Sequence, residues 1–159
     1  MFRAIIAVVI SATVCSLLGS RPECFAETAQ LAGNDLLQAK GALQAYLDLR
    51  KQYDQDYAKR YDMLSEKAQQ LLRGTYGVVD SGGLEKFEGD LAGFGDFKIL
   101  SIKQVQKDKV RAKVRIQVIT EHPDGGMAQD EMFTCVVKRE GGQWKLDQIL
   151  RSDGTPYWP

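Results

Sequence analysis

The sequence is poor in the residues from which metal sites and nucleophilic sites are built. Its 159 residues include one histidine, His122, and three cysteines. A zinc site needs three or four such ligands held close together, so a zinc centre is not expected. His122 directly precedes Pro123 in a predicted turn, where an imidazole faces solvent and has no substrate to act on. The sequence therefore predicts no metal, no cofactor and no catalytic histidine.

An excess of charge of one sign is also missing. The chain has 21 basic and 21 acidic residues, so its net charge predicts no broad attraction to nucleic acid or to an anionic membrane. No glycine-rich phosphate loop follows a predicted strand. Asp54 and Asp56 begin like a calcium loop, but Ala58 and Lys59 occupy the next ligand position and the glycine position. The pattern for a calcium site therefore fails.

The N-terminus predicts export. Arg3 precedes an apolar run over residues 4–18, which is shorter than the roughly 20 residues of a membrane-spanning helix. Cys24 and Ala26 are small residues at positions −3 and −1 of a signal-peptide cleavage site, so cleavage is predicted after Ala26, with an uncleaved anchor as the alternative. We therefore expect a signal peptide at 1–26, a single domain at 27–159, and a periplasmic or secreted protein without a stable membrane anchor. Cleavage leaves Cys135 as the one cysteine, predicted to be a buried, unreactive thiol without a disulfide partner.

The first half of the remaining chain predicts helices. Asn34 and Asp35 precede a helix whose core-spaced positions are Leu36, Ala39, Leu43, Tyr46, Leu47 and Arg50. A short helix is predicted from Gln55 to Leu64, with Arg60 and Asp62 on its exposed side. Ser65 is predicted to cap the next helix. Leu84, Phe87, Glu88 and Leu91 then predict one more short helix, which Gly93 and Gly95 end.

From Asp96 the apolar residues recur every second position, which predicts strands. In "KVRAKVRIQVIT", the residues from Val110 to Thr120 that point to one side alternate with Lys109, Arg111, Lys113, Arg115 and Gln117. Short turns at Lys107-Asp108-Lys109, Asp124-Gly125-Gly126 and Gly141-Gly142 connect four strands as hairpins. Helices followed by hairpin-linked strands predict an α+β fold.

Element order and two short motifs give the chain a resemblance to a known superfamily. The helical segment "AYLDLRKQYDQDYAKRYDMLS", the helix opening "SEKAQ" and the closing strand "REGGQWKLDQI" resemble the nuclear transport factor 2-like superfamily, in particular its exported, largely uncharacterised members. The resemblance covers residues 38 to 151. It implies that the N-terminal helices pack in the concave face of a curved antiparallel sheet, forming a cone whose mouth can hold a ligand. The superfamily includes isomerases, polyketide cyclases, dehydratases and binding or assembly modules, so the fold alone does not give an activity.

An enzyme of this superfamily would need a catalytic acid or histidine inside the cone. The predicted inner faces of the strands carry no acid, and Asp147 is predicted to point away from the side of Trp144. The helical carboxylates are interspersed with lysine and arginine, which is typical of a solvated face. The alternative is an isomerase, cyclase or hydratase that pairs a tyrosine with Asp62 or Asp54.

Two groups of residues are candidates for binding. Aromatic side chains predicted to line the cone are Tyr46, Tyr53, Tyr61, Phe87, Phe94 and Trp144, and Tyr57 belongs to the same series. Their structural alternative is ordinary core packing. The second group is the basic stripe on "KVRAKVRIQVIT", which we interpret as a solvated outer face or part of a dimer interface and not as a nucleic-acid site, because no aromatic residue accompanies it.

We therefore expect an exported, non-enzymatic binding or assembly module. Its partner would be a small apolar ligand in a cone-shaped pocket or another protein, with a structural homodimer through the sheet as the second alternative.

Overall fold

The chain folds into four helices followed by five strands. The computed structural model describes residues 33–51, 56–89, 93–120 and 126–158. The elements are α1 (Gly33–Lys51), α2 (Tyr57–Asp62), α3 (Glu66–Tyr76), α4 (Ser81–Gly89), β1 (Gly93–Gln106), β2 (Lys109–Thr120), β3 (Met127–Glu140), β4 (Gln143–Leu150) and β5 (Pro156–Trp158). The predicted order of helices before strands is confirmed.

The strands form one curved, open antiparallel sheet in the order β1-β2-β3-β4-β5. The helices lie on one face of this sheet, where their apolar side chains join the strands in a single core. The α+β class with helices in the concave face of the sheet is therefore confirmed. β5 was not predicted, because a three-residue strand is too short to show an alternating pattern.

The buried and exposed residues of β2 agree with the alternating pattern of its sequence. The side chains of Val110, Ala112, Val114, Ile116 and Val118 are buried, while Arg111, Lys113 and Arg115 between them are exposed. Thr120, predicted to face the core, is exposed because it ends the strand. The predicted turn at Gly141 and Gly142 is also present, with φ angles of 56° and 82° that suit a two-residue hairpin turn.

Two glycines predicted to end α4 lie within β1 instead. Gly93 and Gly95 pair or pass alongside β2, and a Cβ on Gly95 would stand 2.6 Å from the Gln117 side-chain oxygen. Glycine at position 95 therefore leaves room for the Gln117 side chain of the neighbouring strand. The sequence suggested that these glycines end a helix. Glycine is disfavoured in helices and in strands, so its presence alone did not show that a strand begins there.

A register shift in β4 accompanies the burial of an acid, Asp147. Val136 pairs with Gln148 and Val137 pairs with Leu146, so Asp147 is an extra residue in the ladder. Such a bulge re-aims the side chain next to it. Asp147 is 1% exposed, accepts a hydrogen bond from the Ser65 hydroxyl at 2.7 Å and lies 3.3 Å from the Lys109 ammonium.

The corner between α2 and α3 extends the sheet. The Ser65 N–H donates to the Leu146 carbonyl and the Leu146 N–H donates to the Met63 carbonyl, both at 2.8 Å. Leu64 between them is fully buried in the core. The segment that joins the two helices is therefore connected to β4 by backbone hydrogen bonds. No pattern in the sequence predicted this contact.

Ser65 begins α3 as predicted. Its backbone is extended (φ −63°, ψ 155°) and its hydroxyl oxygen accepts from the Ala68 N–H at 3.0 Å. The same hydroxyl donates its proton to Asp147. Ser65 thus satisfies a helix-end donor and a buried carboxylate at the same time.

We expect Ser65→Ala to lower the free energy of unfolding by about 2 kcal/mol. A lost cap alone costs about 1 kcal/mol, and the Asp147 oxygen left without its donor adds a similar amount. Urea denaturation followed by circular dichroism measures the change. Ser81→Ala, at the first residue of α4, is the control and should change the stability by less than about 0.5 kcal/mol, because the side-chain cap of α4 is Asp80, which accepts from the Gly83 N–H at 2.9 Å.

Several predictions concern residues outside the described ranges. They are the signal peptide at 1–26, the turn containing His122, and the side chains of Tyr53 and Asp54. Among the helices that are described, none is both long and apolar enough to cross a membrane. Cys135 is fully buried in β3, and this burial raises the pKa of its thiol to about 12, in agreement with the predicted unreactive thiol.

Candidate functional site

A buried cluster of three charged side chains joins α1, α2 and α4. Glu88 of α4 forms ion pairs with Arg50 at the end of α1 and with Arg60 in α2. The side chain of Arg60 is 0% exposed, and those of Arg50 and Glu88 are 5% and 4% exposed. We call Arg50, Arg60 and Glu88 the arginine cluster.

Aromatic rings surround the arginine cluster. The Arg50 guanidinium lies 4.4 Å from the centre of the Phe94 ring, and the Arg60 guanidinium lies 4.5 Å from that of Tyr57. The Arg50 guanidinium also lies beside the hydroxyl groups of Tyr46 and Tyr157. Cations over ring faces are stabilised by the ring quadrupole, more so when water is excluded. The rings thus provide part of the stabilisation that water would give these two arginines at the surface.

The arginine cluster has one positive charge more than its carboxylate neutralises. Two guanidinium groups share Glu88, and the Nε and Nη1 atoms of Arg60 have no hydrogen-bond partner among the residues that the structure describes. The Nε atom of Arg50 also has no hydrogen-bond partner among these residues. Burying an incompletely paired charge costs several kcal/mol. The arginine cluster therefore has the charge and the donor atoms to bind one further anionic group.

The arginine cluster is poorly suited to acid–base catalysis. Each Glu88 oxygen is in contact with a guanidinium group, which leaves neither oxygen free to take a proton from a substrate. Burial, with a smaller contribution from Glu88, raises the pKa of Tyr46 far above its usual value of 10, against the opposing charges of Arg50 and Arg60. Tyr46 therefore remains protonated near neutral pH and serves as a hydrogen-bonding group.

Two of the predicted lining residues meet at the arginine cluster. Tyr46 is fully buried beside Arg50, and Phe94 lies under the same guanidinium. The Phe94 ring also packs on Phe133 and Tyr157, with centroids 6.1 Å and 5.6 Å away. These contacts give the cluster an apolar wall on the sheet side.

The other predicted lining residues lie elsewhere in the fold. Tyr61 is half-buried and its hydroxyl donates to the Val79 carbonyl at 3.2 Å, so it connects α2 to the segment after α3. Phe87 is half-buried and its ring packs on Tyr76 at 4.5 Å. Trp144 pairs with Arg139, which contacts Asp35 at the beginning of α1.

Trp144 is therefore separated from Tyr46 and Phe94 along the length of α1. Asp35 and Arg50 are 15 positions apart, which corresponds to about 22 Å in an α-helix. The indole N–H of Trp144 has no hydrogen-bond partner within the described part of the chain. The five described residues of the predicted set thus do not form one lining: Tyr46 and Phe94 contact the arginine cluster, whereas Tyr61, Phe87 and Trp144 lie elsewhere. Tyr53 lies outside the described ranges.

The charged residues of the site were missed. Arg60 was predicted to lie on the exposed side of α2, and this is wrong, because its pairing with Glu88 compensates for its complete burial. Arg50 and Glu88 did fall at core-spaced positions of their helices. Opposite charges at the core positions of two helices are the signal that would have identified the pair.

Of the two acids proposed for a catalytic pair, the one that the structure describes does not reach the interior. Asp62 is exposed at the end of α2, and Asp54 lies outside the described ranges. Within the described residues, no group of three or more His, Cys, Asp or Glu side chains is placed to bind a metal ion. Among the described residues, the arginine cluster is the candidate site for a small molecule.

Sequence comparison finds no family model and no curated protein that matches this chain. The solved structures similar to it include two with 14% sequence identity each. A protein from Catenulispora acidiphila matches 71% of this chain and 86% of its own length with a TM-score of 0.48. A SEC-C motif containing protein from Psychrobacter arcticus matches 70% of this chain and 59% of its own length with a TM-score of 0.39. Neither similarity is strong enough to carry a functional argument.

Proposed function

We propose that this chain is an exported, non-enzymatic binding module with a nuclear transport factor 2-like cone, and that it binds a small ligand with an anionic group and an apolar or aromatic body. The ligand's anionic group would approach Arg60 and Arg50, and its body would pack on the rings around them. This modifies the ligand expected from the sequence, which was simply apolar, by giving it a negative charge.

The excess positive charge of the arginine cluster is the observation that carries this proposal. A cluster kept only for folding would be expected to balance its charges, because an unpaired buried ion opposes folding. Here two guanidinium groups meet one carboxylate, and donor atoms of Arg60 have no partner among the described residues. Arginine binds carboxylate and phosphate groups through short, charge-assisted hydrogen bonds. An anionic group therefore matches both the charge and the donors.

An isomerase, cyclase or hydratase is the weaker alternative. The acid that approaches Tyr46 is Glu88, and both of its oxygens already contact arginines. Such a carboxylate has no free oxygen within reach of a substrate and is poorly placed to act as a general base. The geometry favours binding over proton transfer.

A thermal-shift screen of residues 27–159 tests the proposal. The probes are benzoate, phenyl phosphate and longer-chain carboxylates, each compared with its neutral amide or alcohol. A ligand present at 100 times its Kd stabilises the folded state by about 2.7 kcal/mol, which is readily measured. We expect the anionic member of a pair to raise the Tm and the neutral member to leave it nearly unchanged.

Matched variants locate the binding. Arg60→Lys keeps a positive charge but removes most donor atoms, and it should weaken binding of an anionic probe at least tenfold. Arg73→Lys, on the exposed face of α3, is the control and should bind like the unchanged protein. Equal shifts from the neutral probes, or equal binding by the Arg60 variant, would contradict the proposed ligand class. Export is tested separately by mass spectrometry of the envelope fraction, where a chain still beginning at Met1 would contradict it.

A further inference from the structure

The face of the sheet opposite the helices carries a dense array of positive charge. The helices pack on the inner face, so the alternate positions of β1 to β4 point outward. We call these outward cations the basic face: Lys98, Lys103, Lys109, Arg111, Lys113, Arg115, Lys138 and Lys145. The acids that reach this face are fewer, namely Asp130, Glu140 and Asp147. A chain whose total charge is balanced thus has a strongly polarised surface.

The register places like charges directly opposite each other. Lys98 pairs with Arg115, and Lys103 pairs with Arg111. Lys138 stands between Lys109 on one side and Lys145 on the other. Like charges at directly opposed positions destabilise an antiparallel sheet, whereas opposite charges would stabilise it. The stability of the fold therefore does not explain this pattern. Binding to a partner of opposite charge does explain it.

Most of the basic face is available for such a partner. Asp130 pairs with Arg115 at 3.6 Å, Glu140 with Lys138 at 3.0 Å and Asp147 with Lys109 at 3.3 Å. The five remaining cations make no ion pair with the described residues: Lys98, Lys103, Arg111, Lys113 and Lys145. Four of them are exposed, and Lys145 is half-buried.

The shape and chemistry of the basic face indicate a flat anionic surface. Its cations spread over four strands, about 14 Å across the sheet, and they do not follow a single line as a nucleic-acid backbone would. The face lies on the convex side of the sheet, which cannot enclose a duplex, and the outward positions named above include no aromatic residue for base stacking. Exposed apolar side chains accompany the charges, with Met132 opposite Arg115 and Leu100 beside Ser101.

We propose that the basic face docks the protein on an anionic phospholipid bilayer, with lipid phosphates opposite the unpaired lysines and arginines. This inference rests on the outer face alone and is independent of the ligand proposed for the arginine cluster. Basic side chains bind an anionic membrane surface additively, through attraction that falls off within the Debye length. The same repulsion makes the basic face unfavourable for face-to-face pairing with a second copy of the chain.

Vesicle co-sedimentation tests the docking. The full chain is mixed with vesicles of phosphatidylcholine or of an equal mixture of phosphatidylcholine and phosphatidylglycerol. We expect binding to the anionic vesicles, little binding to the neutral ones, and release as salt is added. Lys103→Gln/Arg111→Gln/Lys113→Gln should weaken binding about a hundredfold, because each cation contributes about a fivefold factor.

A second triple variant controls for net charge. Lys59→Gln/Lys67→Gln/Lys86→Gln removes the same charge from exposed positions on the helices and should bind within about threefold of the unchanged protein. Circular dichroism checks that each variant is folded. If a triple variant is unstable, Lys113→Gln alone replaces it and should weaken vesicle binding about fivefold. Equal losses in both triple variants, equal binding to neutral vesicles, or tighter binding to a DNA duplex than to anionic vesicles would each overturn the proposal.

Discussion

Glu88→Gln is expected to lower the free energy of unfolding by about 3 to 5 kcal/mol. The substitution keeps the shape of the side chain but leaves Arg50 and Arg60 buried without a counter-charge. Removing one partner of a buried ion pair is costly because the other charge stays out of contact with water. Urea denaturation at neutral pH, followed by tryptophan fluorescence and circular dichroism, measures the loss. Glu85→Gln on the exposed side of α4 is the control, with an expected change below about 0.5 kcal/mol.

A fully apolar replacement separates folding from binding at the arginine cluster. Arg50→Met/Arg60→Met/Glu88→Leu removes all three charges together, and replacing a whole buried ion cluster by apolar residues is often neutral or stabilising. We expect the urea concentration at which this variant unfolds to be at least as high as that of the unchanged protein. We also expect the variant to lose the response to anionic probes. A Glu88→Gln protein that is as stable as the original would contradict the burial of an uncompensated positive charge.

Asp147→Ala is expected to destabilise the protein by about 2 to 3 kcal/mol. The Asp147 carboxylate is buried, accepts from the Ser65 hydroxyl and lies beside the Lys109 ammonium. Its removal deprives a charge-assisted hydrogen bond of its acceptor, although Lys109 is partly exposed and regains some hydration. Asp130→Ala, which breaks an ion pair between two half-exposed side chains, is the control and should cost less than about 1 kcal/mol.

A double-mutant cycle with Ser65→Ala isolates the contact between the two residues. Each substitution removes the same hydrogen bond, so the double variant should be less destabilised than the sum of the single ones, by about 1 kcal/mol or more. Additive losses, measured in the same urea titrations, would show that the Ser65 hydroxyl and Asp147 act independently.

The sequence was most informative where a local pattern decides the structure. β2 alternates strictly, and its buried and exposed residues are those expected, because one face of the strand lies on the core and the other in water. Ser65 caps α3 because a hydroxyl followed by a helical pattern satisfies a donor that the helix cannot satisfy itself. Both features depend on residues a few positions apart, so they can be recognised without a structure.

The site depends on contacts between distant residues, and there the sequence was least informative. Arg60 looks like a surface residue next to Lys59 and Asp62, and only its contact with Glu88, 28 positions later, explains its burial. The burial of Asp147 was not predicted, because strict alternation does not include a bulge. The balanced total charge hid the basic face, because polarity between the two sides of a sheet appears only when the strands are in register.

The corner between α2 and α3 also affects how the protein behaves at high concentration. An unpaired strand at the edge of a sheet is a template on which other chains can add and aggregate. Along β4, the edge away from β3 is occupied by the backbone of residues 63–65 at Leu146 and by β5 at Ile149 and Leu150. At the other edge, three register shifts interrupt β1. Both borders of the sheet are thus irregular or covered, which disfavours strand-by-strand association between molecules.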